Sequence, residues 1–144
     1  MEISVLTTVV QATGPELMLE VRFDRQVIFF GAAPVEPMTI EHRFNDGLAG
    51  AEHLVEFVLS GKRWDHTEIN GNGEIVSDRT VIINDFRLDD IVVDQLVHKT
   101  AKYHHDYNGS SEAVVDQFMG SMGCNGAVHW CFTSPVYQWI LDNM

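Results

Sequence analysis

The sequence is poor in basic residues, and this scarcity limits the partners that fit it. Nine Lys and Arg stand against 21 Asp and Glu among 144 residues, so the formal net charge at pH 7 is -12. The nine cations are scattered along the chain, and the field of such a protein repels polyanions. We therefore expect no binding to nucleic acid and none to an anionic membrane surface.

Cysteines and long apolar runs are also scarce. Cys124 and Cys131 are the two cysteines, and with His129 they are too few ligands for a zinc site. Their apolar surroundings predict buried, reduced thiols, as in a cytoplasmic protein. No apolar run is long enough to cross a bilayer, and the opening MEISVLTTVVQ lacks an export signal. The prediction is a cytoplasmic protein without a membrane partner.

Common catalytic motifs are missing as well. The chain has no Gly-x-Ser-x-Gly nucleophile motif. Its glycine clusters, NGNG and MGSMGCNG, lack the strand, loop and helix that surround a phosphate-binding loop. We therefore predict that the protein is not an enzyme.

Alternating apolar and polar residues dominate what the chain does contain. Successive side chains of a strand point to opposite faces, so this period of two predicts half-buried strands. It recurs over residues 17–24, 38–45, 53–60, 79–98 and 127–133, and residues 3–11 are rich in β-branched side chains. Asn-Gly and Asp-Gly steps between these segments favour tight turns.

Three segments interrupt the alternation. Within residues 79–98 it slips at Asp89 and Asp90, which predicts a β-bulge or a corner there. Residues 99–113 read as a long loop, and residues 113–122 as a short helix or a turn. Ser134 and Pro135 predict the start of a C-terminal helix. The fold prediction is one all-β domain over residues 1–144, an antiparallel, jelly-roll-like β-sandwich of about eight strands with a short C-terminal helix.

Residues His104, His105 and Asp106 form the first cluster with chemical potential. Two imidazoles and a carboxylate are suited to a transition metal, and His105 with Asp106 is suited to a general base and its orienting group. Neighbouring residues of an extended chain point in opposite directions, however, so both histidines reach one ion only across a turn. An exposed polar loop is the simpler interpretation.

The next residues predict a calcium site. Asp106, Asn108, Ser110 and Glu112 place an oxygen at every second position, and Gly109 provides a turn among them. The segment is much shorter than a complete EF-hand loop. Calcium is therefore the one candidate cofactor, with solvated loop acids as the alternative.

Aromatic residues in predicted loops form a third group. Trp64, Tyr103 and Tyr107 are candidates for an exposed platform on which sugar rings stack, with His105 as a further ligand contact. Shielding of a sheet edge is the alternative role for these rings. Trp130 and Trp139 lie on apolar stripes and are expected in the core.

A family resemblance rests on the order of three segments, LMLEVRFDRQVIFFG, GAEHLVEFVLSGK and SDRTVIINDFRLDDIVVDQL. This order, with a strand that begins at His53, resembles small jelly-roll carbohydrate-binding modules, particularly the calcium-dependent xylan-binding kind, over residues 17–96. The resemblance implies a glycan ligand and calcium. The chain departs from that pattern because it has neither an export signal nor a disulfide near the binding loop.

The last segment, DQFMGSMGCNGAVHWCFTSPVYQWILDNM, resembles uncharacterised virion proteins of tailed phages, including those of cyanobacteria. Together these features favour a non-catalytic protein that acts by assembly, as a virion component of a phage head, neck or tail that contacts itself or protein partners. A carbohydrate-binding module is the alternative. A glycoside hydrolase is the third, if two carboxylates such as Asp89 and Asp106 face each other across a cleft.

Overall fold

The structure, a computed structural model, describes residues 2–144 and consists mainly of β-strands. The strands are β1 (Ile3–Ala12), β2 (Met18–Phe23), β3 (Gln26–Ala32), β4 (Met38–Asn45), β5 (Glu52–Ser60), β6 (Thr67–Ile69), β7 (Ile75–Asp78), β8 (Val81–Leu88), β9 (Ile91–Val92), β10 (Lys102–His105), β11 (Val114–Gln117), β12 (Ser121–Met122) and β13 (Gly126–Thr133). The helices are one 3₁₀ turn (Trp64–His66), α1 (Asp94–Thr100) and α2 (Val136–Asn143).

Two antiparallel sheets pack face to face and confirm the predicted β-sandwich. The front sheet has the order β11-β10-β13-β5-β2-β3. The back sheet has the order β12-β8-β1-β4, with β9 paired to β8. Strands β6 and β7 form a separate two-stranded ribbon.

The core lies between the two sheets and is filled by the inward side chains of the alternating strands. Phe86 of the back sheet contacts Phe57 and Trp130 of the front sheet, with ring centroids 5.9 and 5.7 Å apart and near-perpendicular planes. Such edge-to-face contacts suit the aromatic quadrupoles. Helix α2 continues this core, because Trp139 packs on Trp130 at 5.9 Å. Both tryptophans are buried, as predicted.

Two tight turns place Asp24 and Asp89 at the ends of hairpins. Asp24 and Arg25 connect β2 to β3, and Asp89 and Asp90 connect β8 to β9; all four have positive φ. Two-residue hairpin loops of this geometry match the twist of the strands, and Asp tolerates the left-handed region. The predicted bulge or corner at Asp89 is therefore a hairpin turn.

The structure corrects three predictions of local structure. Residues 94–100 form α1 instead of continuing a strand, because Val93 and Val97, four residues apart, are both buried against the core. The predicted loop over 99–113 contains β10, and the predicted helix or turn over 113–122 contains β11 and β12. These strands are short: β10 pairs with β11 and β13, and β12 pairs with β8.

Two further details differ from expectation. Helix α2 begins at Val136, and the carboxylate of Asp46 caps it by accepting the Val136 N–H at 3.1 Å, while the Ser134 side chain is used elsewhere. Cys131 is exposed and Cys124 half-buried, so the predicted burial of both thiols is wrong, although both are free. Within residues 2–144, no helix combines the length and apolar character of a membrane span.

Candidate binding site

The loop that follows β10 lies at one end of the sandwich and is held there by Asn125. The side-chain oxygen of Asn125 accepts the Lys62 N–H at 2.9 Å, and its amide donates to the Lys62 carbonyl at 3.1 Å. The Asn125 N–H in turn donates to the Asn108 side-chain oxygen at 2.8 Å. This end therefore brings the 106–113 loop near the segment that carries Trp64, as a joint site requires.

Of the three predicted platform rings, two are exposed. Trp64 is 88% exposed on its 3₁₀ turn, and Tyr107 is 48% exposed with positive φ. Tyr103 points inward from β10 and is buried, so the expectation of an exposed Tyr103 ring is wrong. Its hydroxyl donates to the Cys124 carbonyl and accepts the Cys124 N–H. Burial raises the pKa of Tyr103 to about 12.

His105 also points inward and lies between two tyrosines. Its ring centroid is 4.4 Å from that of Tyr103 and 4.7 Å from that of Tyr107. Its Nε2 lies 2.6 Å from a carboxylate oxygen of Asp116, while its buried Nδ1 has no partner among residues 2–144. His105 is therefore oriented by Asp116 and has a free ring nitrogen. His104 points to the opposite face of β10, so the two histidines do not converge.

Two of the four side chains in the predicted calcium loop form hydrogen bonds within the loop itself. Asp106 accepts the Gly109 N–H at 2.8 Å, and the Ser110 hydroxyl donates to the Tyr107 carbonyl at 2.7 Å. Asn108 is engaged with Asn125, and Glu112 is exposed. Within residues 2–144, no three His, Cys, Asp or Glu side chains group as metal ligands. Calcium at this loop stays a prediction.

A cavity of about 440 Å³ opens where β10, β11 and β13 meet this loop. Its lining residues are His104, His105, Asp106, Ala113, Val114, Val115, Asn125 and Gly126. Gly126 lets β13 approach β10 closely here, because a Cβ at this position would come within 2.2 Å of the His104 carbonyl oxygen. The cavity is thus lined by all three residues of the predicted His104, His105 and Asp106 cluster.

The outer side of the front sheet, which we call the open face, continues from this cavity. Strand register places its residues in rows that cross all six strands. One row is Gln117, Lys102, His129, Glu56, Arg22 and Val27, and the next is Val115, His104, Ala127, Val58, Glu20 and Phe30. Five spacings between strands make the face about 24 Å wide.

Polar side chains in the middle of the open face hold one another in place. The rings of His104 and His129 lie 4.7 Å apart, and His129 Nε2 is 3.3 Å from a carboxylate oxygen of Glu56. Glu56 lies 3.8 Å from the guanidinium of Arg22, which also pairs with Glu20. Linked side chains lose less freedom when a ligand binds, which favours binding.

Charge on the open face is balanced, although the molecule is strongly acidic. Lys102 and Arg22 are its cations, and Glu20 and Glu56 are its anions in the two rows. Apolar side chains flank this centre at both edges, since Val115 is 58% and Phe30 is 67% exposed. The face therefore combines polar groups with flat apolar ones and has no net charge in these rows at neutral pH.

Sequence reasoning missed this face. Residues 17–24 were predicted with one buried and one polar side, which is correct for Glu20 and Arg22. Strand β5 is central in the front sheet, and Glu56 and Val58 are partly exposed on the open face. The alternation in β13 would have placed His129 on the same side as the polar residues of β2.

A Ser–His–Asp arrangement lies at the opposite end of the sandwich. His53 Nδ1 is 2.8 Å from a carboxylate oxygen of Asp24, and His53 Nε2 is 2.8 Å from Ser134 Oγ. Ser134 is only 3% exposed, and it lines none of the three cavities described here. A nucleophile must touch its substrate. We assign a structural role to these three residues, because their hydrogen bonds connect the β2–β3 turn, β5 and the end of β13.

The carboxylate pair considered for a hydrolase does not face a common cleft. Asp89 lies in the β8–β9 turn and accepts the Val5 N–H at 2.8 Å. Asp106 lies at the other end, near the start of β8, so the eight residues of β8 separate the two acids. That length, about 27 Å, far exceeds the carboxylate spacing of glycosidases.

A second cavity, about 810 Å³, lies between β9, α1 and the end of α2. Its walls are mostly apolar, and the carboxylate of Asp94 at its side already accepts the N–H groups of Phe86 and Asp85. A third cavity, about 310 Å³, lies outside the back sheet beside Asp89. The former is mostly apolar and the latter is the smallest of the three cavities described here, so we take the open face and its adjoining cavity as the candidate binding site.

Comparison with known proteins gives similarity of architecture only. No protein-family model matches the chain, and no curated protein matches its sequence. A solved structure of vCBM60 in complex with galactobiose is similar over 87% of this chain and 95% of that chain, with 10% identity and a TM-score of 0.47. The selenomethionine form of vCBM60, from work on two families of calcium-dependent carbohydrate binding modules, is similar over 88% of both chains, with 10% identity and a TM-score of 0.48.

Both TM-scores lie below 0.5, and we draw no functional conclusion from them. The resemblance of the chain's ending to phage proteins stays a prediction.

Proposed function

We propose that this protein is a non-catalytic glycan-binding protein that holds a neutral oligosaccharide across its open face. The observation that carries the proposal is the linked set of His129, Glu56 and Arg22 at the centre of the charge-balanced open face, with the exposed apolar side chains of Val115 and Phe30 at the two edges of that face. Sugars present hydroxyls along their edges and C–H groups on their faces, so they need both kinds of surface.

The charge of the protein and of its open face favours a neutral sugar over other classes of ligand. Nucleic acid and acidic polymers are repelled by a net charge of -12, and the open face has no cationic excess in its two central rows to offset that repulsion. A protein interface of ordinary type has a core depleted of charged residues, whereas the centre of this face is charged. A neutral, hydroxyl-rich chain meets neither obstacle.

The adjoining cavity supplies a second group of contacts. His104 and Val115 belong both to the cavity and to the open face, so a chain that crosses the face can place one end beside His105. The exposed ring of Tyr107 is the aromatic group proposed for that end, where His105 lines the cavity. Trp64 is proposed as an outer contact at the same end of the molecule.

Native affinity electrophoresis in gels with soluble xylan, β-glucan, galactan or mannan tests the proposal. We expect retardation by at least one neutral polysaccharide. The double variant His129→Ala, Glu56→Ala should weaken binding tenfold or more, which corresponds to about 1.4 kcal/mol. Its matched control is Glu41→Ala, Arg43→Ala, which removes an exposed ion pair from the outer side of the back sheet and should bind like the wild type.

Two further arms locate the site. If Trp64→Ala abolishes retardation and the open-face variant does not, the loop end is the binding site and the open face is not. Gels with calcium or EGTA test the metal prediction, because retardation that needs calcium would mean that a calcium ion takes part in glycan binding. No retardation by any neutral polysaccharide contradicts the proposal.

The phage virion role predicted from the sequence remains a second proposal. Its distinctive requirement is self-association or docking to protein partners, and one edge of the front sheet provides a surface for the former.

A further inference from the structure

Strand β3 is the outermost strand of the front sheet and pairs only with β2 among residues 2–144. Its sequence, QVIFFGA, has no charged residue and no proline. Val27 and Phe30 are 50% and 67% exposed. The free N–H and C=O groups of such an edge are a template for pairing with another strand.

The other sheet edges carry the protection that β3 lacks. Strand β11 has only four residues and includes Asp116. Strand β4 carries the exposed pair Glu41 and Arg43, while β9 and β12 have two residues each. Short length and charge are the usual means of blocking edge pairing. On β3 a register shift near Ile28 disturbs one half, but Phe29 to Ala32 pair regularly with β2.

We propose that β3 pairs antiparallel with β3 of a second copy, so that the protein forms a two-fold symmetric dimer. A second copy carries the same net charge of -12, so the two molecules can meet closely only where no acid faces another. Strand β3 supplies such a surface. Antiparallel pairing of identical strands has two-fold symmetry, and a two-fold axis at Phe30 sets the Phe30 rings of the two copies opposite each other.

Pairing at this edge would join two front sheets into one of twelve strands, with both open faces on a continuous surface. Two linked binding faces bind a polymer more tightly than one, without new contacts to each sugar. Dimer formation itself does not depend on the proposed glycan binding.

Size-exclusion chromatography with light scattering, without any glycan, tests the dimer. At tens of micromolar protein in 300 mM NaCl we expect a mass twice 16.2 kDa. Lowering the salt to 50 mM should weaken the dimer at least severalfold, because like charges on the two copies are then less screened. A wild-type protein that stays monomeric at 300 mM NaCl overturns the proposal.

Two charge-inserting variants identify the edge. Phe30→Lys and Phe30→Glu place like charges opposite each other across the two-fold axis, and both should be monomers with unchanged circular dichroism, because Phe30 is exposed. Val115→Lys is the matched control, since it places a lysine at the opposite edge of the same sheet and should remain dimeric. A dimer that survives both Phe30 variants, or that Val115→Lys disrupts instead, rules out β3 as the interface.

Discussion

At the scale of single residues, buried polar side chains connect strands that are distant in sequence. His53 is enclosed by Phe23, Phe44 and Phe132, with ring centroids 5.0 to 5.4 Å away, and both of its ring nitrogens have partners. Buried polar groups are stable only when they are hydrogen-bonded. Each partner of this imidazole therefore contributes to the stability of the fold.

Removal of the Ser134 hydroxyl leaves His53 Nε2 buried without a partner. We expect Ser134→Ala to lower the free energy of unfolding by about 1–2 kcal/mol in urea titrations. Ser60→Ala, at the exposed end of β5, is the matched control and should change it by less than about 0.5 kcal/mol. A fluorophosphonate probe should not label Ser134, because its side chain is buried. Labelling at Ser134 would contradict the structural role and support a hydrolase.

The direction of Tyr103 and His105 shows where residue-level prediction ends. The segment KYHH alternates in the structure, with Tyr103 and His105 inward and Lys102 and His104 outward. Tyrosine and histidine occur both in cores and on surfaces, so composition does not choose between the two directions. The choice comes from pairing with β13 and β11, which the sequence does not specify locally.

At the scale of elements, the β6–β7 ribbon depends on a buried lysine. Lys62 Nζ donates to the Asp78 carboxylate at 2.5 Å and to the carbonyls of Arg79 and Gly123 at 2.5 and 3.0 Å. Burial raises the pKa of Asp78, but hydrogen bonds from Lys62 and Thr67 and the charge of Lys62 outweigh it, so the pKa lies below its usual range. This ion pair anchors the end of the ribbon to the sandwich.

Asp78→Asn should destabilise the protein at pH 7 by about 2–4 kcal/mol, because the Lys62 charge stays buried without its carboxylate. A lowered pKa in the folded state adds stability above the unfolded pKa of about 3.9, and that stability is lost as the pH falls through the folded pKa. The difference in the free energy of unfolding between the wild type and Asp78→Asn should therefore become smaller below pH 4. Urea titrations at pH 7, 5 and 3 check this.

Glu74→Gln is the control for loss of a surface charge, since this exposed side chain makes no hydrogen bond or ion pair within residues 2–144. If the difference in the free energy of unfolding between the wild type and Asp78→Asn stays constant from pH 7 to pH 3, the ionic role of Asp78 is contradicted.

Elements with long alternation were predictable, and those defined by distant partners were not. The strands β2, β4, β5 and β13 and helix α2 follow from local pattern. Helix α1 was missed because Val93, Leu96 and Val97 follow directly on an alternating strand, and its first turn is fixed by Asp94 bonding back to β8. Strands β10 to β12 are too short for a period to be visible.

At the scale of the whole molecule, the fold separates a charge-balanced face from an acidic remainder. The two central rows of the open face hold as many cations as carboxylates, whereas the whole chain carries -12. The acidic excess is visible in the sequence, but the distribution of charge over the surface is not, because that distribution depends on which strands are neighbours. Repulsion within the acidic remainder opposes the compact state.

Salt should therefore stabilise the folded protein. We expect the Tm to rise by a few degrees between 10 and 150 mM NaCl, because the Debye length falls from about 30 to about 8 Å. The measurement is best made on Phe30→Lys, so that dimer formation does not contribute. A triple variant with Glu36→Gln, Glu68→Gln and Glu74→Gln, all exposed, should show a higher Tm at 10 mM NaCl and a smaller rise of the Tm with salt.

Potassium chloride should raise the Tm as sodium chloride does, whereas an additional rise of the Tm in calcium chloride at equal ionic strength would indicate a calcium site. A Tm that falls with salt would mean that surface ion pairs, and not repulsion, dominate the electrostatics of this fold.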